Sequence, residues 1–144
     1  MLNKISEQEF LRRKNKPIEY IGIYELDWLT DDNQLDCEGI IVSFTDKQYL
    51  IKSLPISEDD YGFCYYEISQ ASNCRKILSS SDEPVYFVRK EEDDDSFRML
   101  RFQIGNRPIL VTATDDGFLT VGISHWDTNG EWLDFENNTL LNDK

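Results

Sequence analysis

A chain of 144 residues with 40% hydrophobic and 30% charged side chains is long enough to bury its own core and too apolar to stay disordered, so one domain spanning residues 1–144 is expected. Its formal charge of -13, from 28 acidic against 15 basic side chains, argues against nucleic acid or an anionic membrane as a direct ligand, because neutralising phosphates requires clustered cations, and favours a cationic partner. No stretch has the length of an apolar membrane span, Met1–Glu7 lacks a signal-peptide core, and Cys37, Cys64 and Cys74 show no Cys-x-x-Cys spacing; a cytoplasmic protein with reduced thiols and no metal knuckle is the expectation.

In chain order, Ser6 with Glu9 three residues on has the form of a capping box, and Pro17 limits a short N-terminal helix. Arg12, Arg13, Lys14 and Lys16 fall where cations complement the C-terminal end of a helix dipole, so this basic cluster has a structural explanation and is discounted as a nucleic-acid arm. After Pro17 the pattern changes to period two: Ile18, Tyr20, Gly22 and Tyr24 on one face, Ile21 and Ile23 on the other, which predicts a strand. Asp31-Asp32-Asn33 supplies turn chemistry, and Gly39–Phe44 with Gln48–Ile51 flank Thr45-Asp46-Lys47 as a hairpin.

Pro55–Asp60 reads as an acidic loop, although Ser57 and Asp60 also have the spacing of a cap for a helix through Tyr61–Ala71. Phe63-Cys64-Tyr65-Tyr66 decides for strand on propensity, and a short helix or turn is expected around Asn73–Leu78. Four strands follow in series, at 84–88, 97–104, 109–114 and 118–123. The acidic stretch Glu91–Ser96, Gly105-Asn106 and Asp115-Asp116-Gly117 connect them, so the series predicts an antiparallel meander. Residues 125–133 are aromatic enough to pack back on the sheet, and 137–144 reads as a frayed tail. The fold class is therefore α+β: a twisted, mainly antiparallel sheet of about six or seven strands with a short N-terminal helix, a half-barrel being one form open to it.

Catalytic chemistry finds little support. The only histidine, His125, sits beside Ser124 and near Asp127, but successive strand residues point to opposite faces and nothing orients the imidazole. Carboxylate pairs capable of glycoside hydrolysis arise by chance among so many acids. The seven glycines form no phosphate-binding motif. Counted as a calcium loop from Asp127, position six is Trp132 and position twelve Asn138, neither of which fits. No enzyme activity, cofactor or metal is expected.

What stands out is acidity gathered in connections: Asp31 and Asp32; Glu58, Asp59 and Asp60; and Glu91, Glu92, Asp93, Asp94 and Asp95. Such runs repel themselves and stay solvated, and together they form a candidate surface for lysines and arginines of a protein partner. Tyr61, Tyr65, Tyr66, Trp126 and Trp132 are candidate aromatic anchors, each also explained by packing in a sheet domain of this size, and Tyr61 and Trp126 are the two taken as partner-binding residues.

Size, acidity, helix-then-sheet layout and missing catalytic groups together resemble the small immunity proteins that bacteria keep against the toxins of competing siblings. The resemblance covers overall build and no motif. It implies a cytoplasmic inhibitor whose acidic loops occlude a cationic toxin domain such as a nuclease. A nucleic-acid mimic directed at a defence nuclease, and a non-catalytic adaptor whose charge confers only solubility, are the alternatives.

Overall fold

The computed structural model describes residues 2–29, 35–58, 60–69, 75–79, 84–92, 98–105, 107–114, 117–122, 133–134 and 139–140. Strand β1 (Leu2–Ile5) leads into helix α1 (Glu7–Leu11). Strands β2 (Pro17–Leu29), β3 (Leu35–Phe44), β4 (Gln48–Ser57), β5 (Asp60–Ile68) and β6 (Arg75–Ser79) follow, then β7 (Val85–Glu92), β8 (Arg98–Ile104), β9 (Arg107–Ala113) and β10 (Leu119–Gly122). Two short strands, β11 (Leu133–Asp134) and β12 (Thr139–Leu140), pair only with each other. Thr139 and Leu140 therefore form a strand inside the segment expected to fray.

The predicted meander is present: β7, β8, β9 and β10 pair consecutively and antiparallel. Its turns carry the conformations that their glycines permit, with φ of 59° at Gly105 and 85° at Gly117. β10 then pairs with β3, β3 with β2, and β2 returns to β7 through Pro17↔Tyr86 and Ile18↔Val85. These six strands close a ring, so the half-barrel outline is corrected to a closed barrel. Beyond the ring, β4, β5 and β1 extend the sheet from β3, while β6 lies along β2. The class is sheet-dominated α+β, with the helix reduced to five residues.

Two local expectations are overturned by pairing. Pro55–Ser57 belong to β4 and Asp60 to β5, so the acidic loop shrinks to the tip of a hairpin. Proline is tolerated there because β3 pairs with β4 only as far as Gly39↔Lys52, and the edge that Pro55 presents beyond that point needs no N–H. Residues 75–79 form strand β6 rather than a helix or turn. β7 uses only the first residues of β2, and β6 satisfies the backbone edge left at Tyr20–Ile23.

Ser6 caps α1 as predicted, its Oγ accepting the Glu9 amide at 3.2 Å. The helix is shorter than expected. Arg12 is already the C-terminal cap, and Asn15, at φ 65°, adopts the left-handed conformation that asparagine tolerates. No basic residue occupies the last turn, so the dipole explanation for the cation cluster does not hold.

The barrel interior is filled from alternate positions: Val85 and Phe87, then Leu100, Phe102 and Ile104, then Ile109, Val111 and Ala113, then Leu119 and Val121. In β3 the inward phase reverses at Gly39, from Leu35 and Cys37 to Ile40, Val42 and Phe44. A Cβ there would stand 3.0 Å from the Ile51 carbonyl oxygen, so any larger residue would have to push that backbone aside by a few tenths of an ångström. Phe10 of α1 is the plug. It is fully buried and its ring meets Phe44, Tyr49, Tyr65 and Phe87 with centroids 5.1–6.3 Å apart, which welds the helix to four strands at once. A smaller cluster, Ile41, Leu50 and Ile68 under Tyr20, Tyr24 and Tyr66, covers the outer face of β3–β5.

Candidate functional site

The acidic residues singled out from sequence separate into three groups. Asp31, Asp32, Asp59, Asp93, Asp94 and Asp95, together with the aromatic candidate Trp126, lie outside the described residues, and Asp60 opens β5. Glu58, at the β4–β5 tip, and Glu92, at the end of β7, are exposed. Glu91 is engaged internally. Its Oε2 accepts from Arg101 Nε at 2.7 Å and pairs with Arg89 Nε at 2.6 Å. The Arg101 hydrogen bond, against a smaller opposing effect of burial, holds its carboxyl below the ordinary glutamate range. It is therefore a cross-strand brace with little charge left to offer.

The flanks of two acidic segments meet. Arg98, which opens β8 just after residues 93–97, donates from Nη1 to the carbonyl of Tyr61 at 3.0 Å, and Tyr61 follows Asp60 at the start of β5. The β4–β5 hairpin reaches this point by leaving β3 and crossing the β9–β10 turn, where Ser53 Oγ donates to the Thr114 carbonyl at 3.3 Å. Tyr61 is half-buried there, and a Cβ on Gly117 would lie 3.5 Å from its ring, so part of this aromatic is used in packing. Leu29 and Leu35, which flank the third acidic pair, do not join them: the register through β10, β9 and β8 directs those strand ends the other way, toward Ile104.

At the opposite end of β4 the surface has a different character. Arg13 Nη1 meets Asp46 Oδ1 and Oδ2 at 2.7 and 2.9 Å, and its guanidinium lies over Phe44 and Tyr49, 5.4 and 5.5 Å from the ring centroids. The Arg13 hydrogen bond lowers the Asp46 carboxyl. Lys47 donates to Glu67 at 3.2 Å, a contact that raises its ammonium pKa. Tyr65 donates to Glu7 Oε2 at 3.0 Å, and Lys90 donates to both oxygens of the same carboxylate. Burial first, and Glu7 second, push the Tyr65 phenol far up, so it is a permanent donor that fastens the start of α1.

Three hollows surround the Thr45-Asp46-Lys47 turn, and Asp46 lines all of them. The largest, about 760 Å³, runs between Glu19, Tyr20, Gln48, Glu67 and Ser69, with Gln48 Nε2 donating to Tyr20 Oη and Ser43 Oγ at 3.2 Å each. Sequence reasoning missed this region because the dipole argument had already accounted for its cations. Among the described residues no group of three or more His, Cys, Asp and Glu comes together that could hold a metal ion, and no helix is long and apolar enough to cross a membrane.

The fold and its surface together define a helix-plugged antiparallel barrel whose side strands carry an acidic tip at one end and a cationic hollow at the other. No protein family, no curated protein and no solved structure matches the chain.

Proposed function

We propose that this protein is an inhibitor of the immunity type, which binds a cationic protein domain through the acidic end where β4–β5 and β7–β8 meet. The observation that carries the reading is the Arg98–Tyr61 hydrogen bond, which brings the flanks of the Glu58–Asp60 and Glu91–Asp95 segments together. Carboxylates from two connections then act on one partner surface, steering a basic domain into place and covering its charged groove. Glu58 and Glu92 are free to take part, whereas Glu91 supports them from behind through Arg89 and Arg101.

Immobilised protein, washed with source-cell lysate at low salt and eluted along a salt gradient, tests this. The expected result is a stoichiometric basic partner that a charge-neutral variant, Glu58→Gln with Glu92→Gln and Asp93–Asp95 replaced by asparagine, retains at least about tenfold more weakly, or about 1.4 kcal/mol. A partner held equally by both proteins, or by neither, would overturn the reading.

A further inference from the structure

At the tip of the β4–β5 hairpin one large apolar side chain is left uncovered. Ile56 is the only large hydrophobic residue exposed among the described residues, at 51%, and it lies in a run, residues 55–58, that faces solvent throughout. The register explains its position. Pro55 pairs with Tyr61 and Ser57 with Asp60, so Ile56 is the extra residue of a bulge with no partner across the hairpin, and a bulge re-aims the side chain it carries. Among the described residues neither side of the tip meets another strand, because β3 follows β4 only to Lys52 and β1 follows β5 only to Tyr65.

A lone exposed isoleucine needs no explanation by itself; here its seat and its neighbours matter. A Cβ on Gly62 would stand 3.1 and 3.2 Å from Ile56 Cδ1 and Cγ2 and 3.7 Å from Arg98 Cδ, so the isoleucine rests on bare backbone beside the arginine stem, held in place without being covered. Arg98 stands opposite Glu92 across β7 and β8, and opposite residues of an antiparallel pair share a face. Exposed carboxylates therefore lie on both flanks of Ile56, Glu58 two residues along the hairpin and Glu92 beyond Arg98. An apolar centre within a charged rim is how tight protein contacts are built: the rim steers, and the centre excludes water. We propose that Ile56 is the apolar anchor of the acidic end, entering a hydrophobic socket rimmed by lysine and arginine on a cationic protein domain; this rests on the inhibitor reading and adds to it the character of the partner's surface. A second copy of this chain would set carboxylate against carboxylate, and an anionic lipid surface would meet the same repulsion, so neither fits.

Two synthetic peptides of equal charge test this, one of alternating lysine and leucine and one with serine in place of every leucine, each titrated into the full chain and followed by backbone amide shifts. The leucine peptide is expected to shift Ile56, Gly62 and Arg98 and to bind the tighter of the two. Ile56→Ser should weaken it about fivefold, the effect of leaving about half an isoleucine side chain in water, and Ile56→Val should keep most of the preference. Affinity for the serine peptide should be the same in parent and variants, which controls for folding. If both peptides bind alike and Ile56→Ser changes neither, the anchor is overturned and the acidic end stands on charge alone. If neither peptide binds at the tip, the inhibitor reading falls and the anchor with it. A parent dimer in sedimentation that Ile56→Ser dissolves would also overturn the proposal, assigning the residue to self-association.

Discussion

The two ends of strand β4 are built on opposite plans. From Gln48 to Ser57 the strand spans about 30 Å at roughly 3.3 Å per residue, several screening lengths at physiological salt, so each end answers to its own charges. At the Gln48 end three ion pairs are built into the structure, Arg13 to Asp46, Lys47 to Glu67 and Lys90 to Glu7, gathered around aromatic rings that meet Phe10, with Arg12, Lys14 and Lys16 exposed beside them. At the Ser57 end, among the described residues, Glu91 is braced by Arg101 and Arg98 donates to the Tyr61 carbonyl, while Glu58 and Glu92 face solvent. A protein can hold one end rigid with paired charges and leave the other end's charges available, and mutation should tell the two apart.

The largest effect is expected at the plug. Phe10→Ala removes a ring in contact with four others and leaves a cavity that rigid strands cannot close, costing about 3–5 kcal/mol in urea unfolding. A loss below about 1 kcal/mol would mean that α1 is an appendage and that the committed end is not welded. Arg13→Ala comes next. It breaks a two-oxygen contact and uncovers Phe44 and Tyr49, but Asp46 is 58% exposed, so solvent screening keeps the loss well below that of Phe10→Ala in the same assay.

Acid should act at both ends, through Asp46 at one and Glu91 at the other. Asp46 and Glu91 both titrate below their ordinary values when folded, so each contributes stability that is present above its unfolded pKa and is lost as pH falls through its folded one. Unfolding midpoints measured from neutral pH down through the carboxylate range should fall on acidification. Glu91→Gln should flatten that fall. Tyr49→Phe should cost little: its buried hydroxyl makes no hydrogen bond of good geometry, although Arg13 lies near enough to interact with it, and keeping the ring should leave stability within about 1 kcal/mol of the parent in the same assay.

These contrasts also mark what the residues reveal before folding. The meander from Val85 to Gly122 was legible because each strand alternates and each turn carries Gly or an Asn/Asp pair, so local preference and tertiary structure agree. The Ser6 cap was legible for the same reason. β6 and the end of β4 were not, since they are strands only because β2 and β5 leave backbone edges to satisfy. Barrel closure rests on two residue pairs between β2 and β7, a long-range contact with no local signature. The acidic residues were visible as a composition, but the meeting of two segments depends on Arg98 reaching Tyr61 across 37 positions. The cationic hollow was misread for a definite reason: a helix assumed to run to Pro17 explained its cations, and that helix ends at Leu11.

The smallest effect on stability is the one that most directly separates the two ends. Glu58→Gln with Glu92→Gln removes two exposed charges from a chain already carrying an excess of 13, and no hydrogen bond to either is present among the described residues. Unfolding free energy should therefore stay within about 0.5 kcal/mol of the parent, with any change toward higher stability as self-repulsion falls. The same pair should slow association with a cationic protein and reduce its salt dependence, because steering acts through exposed charge before contact. Arg98→Ala completes the test from the other side. It leaves Glu58 and Glu92 in place but releases β8 from the Tyr61 carbonyl, so amide exchange at Gly62 and Phe63 should accelerate with little change in global stability. If Arg98→Ala slows association as much as the double glutamine variant does, the acidic end works by holding its two connections together. If only the glutamine variant slows it, charge alone suffices and the Arg98–Tyr61 bond serves the barrel.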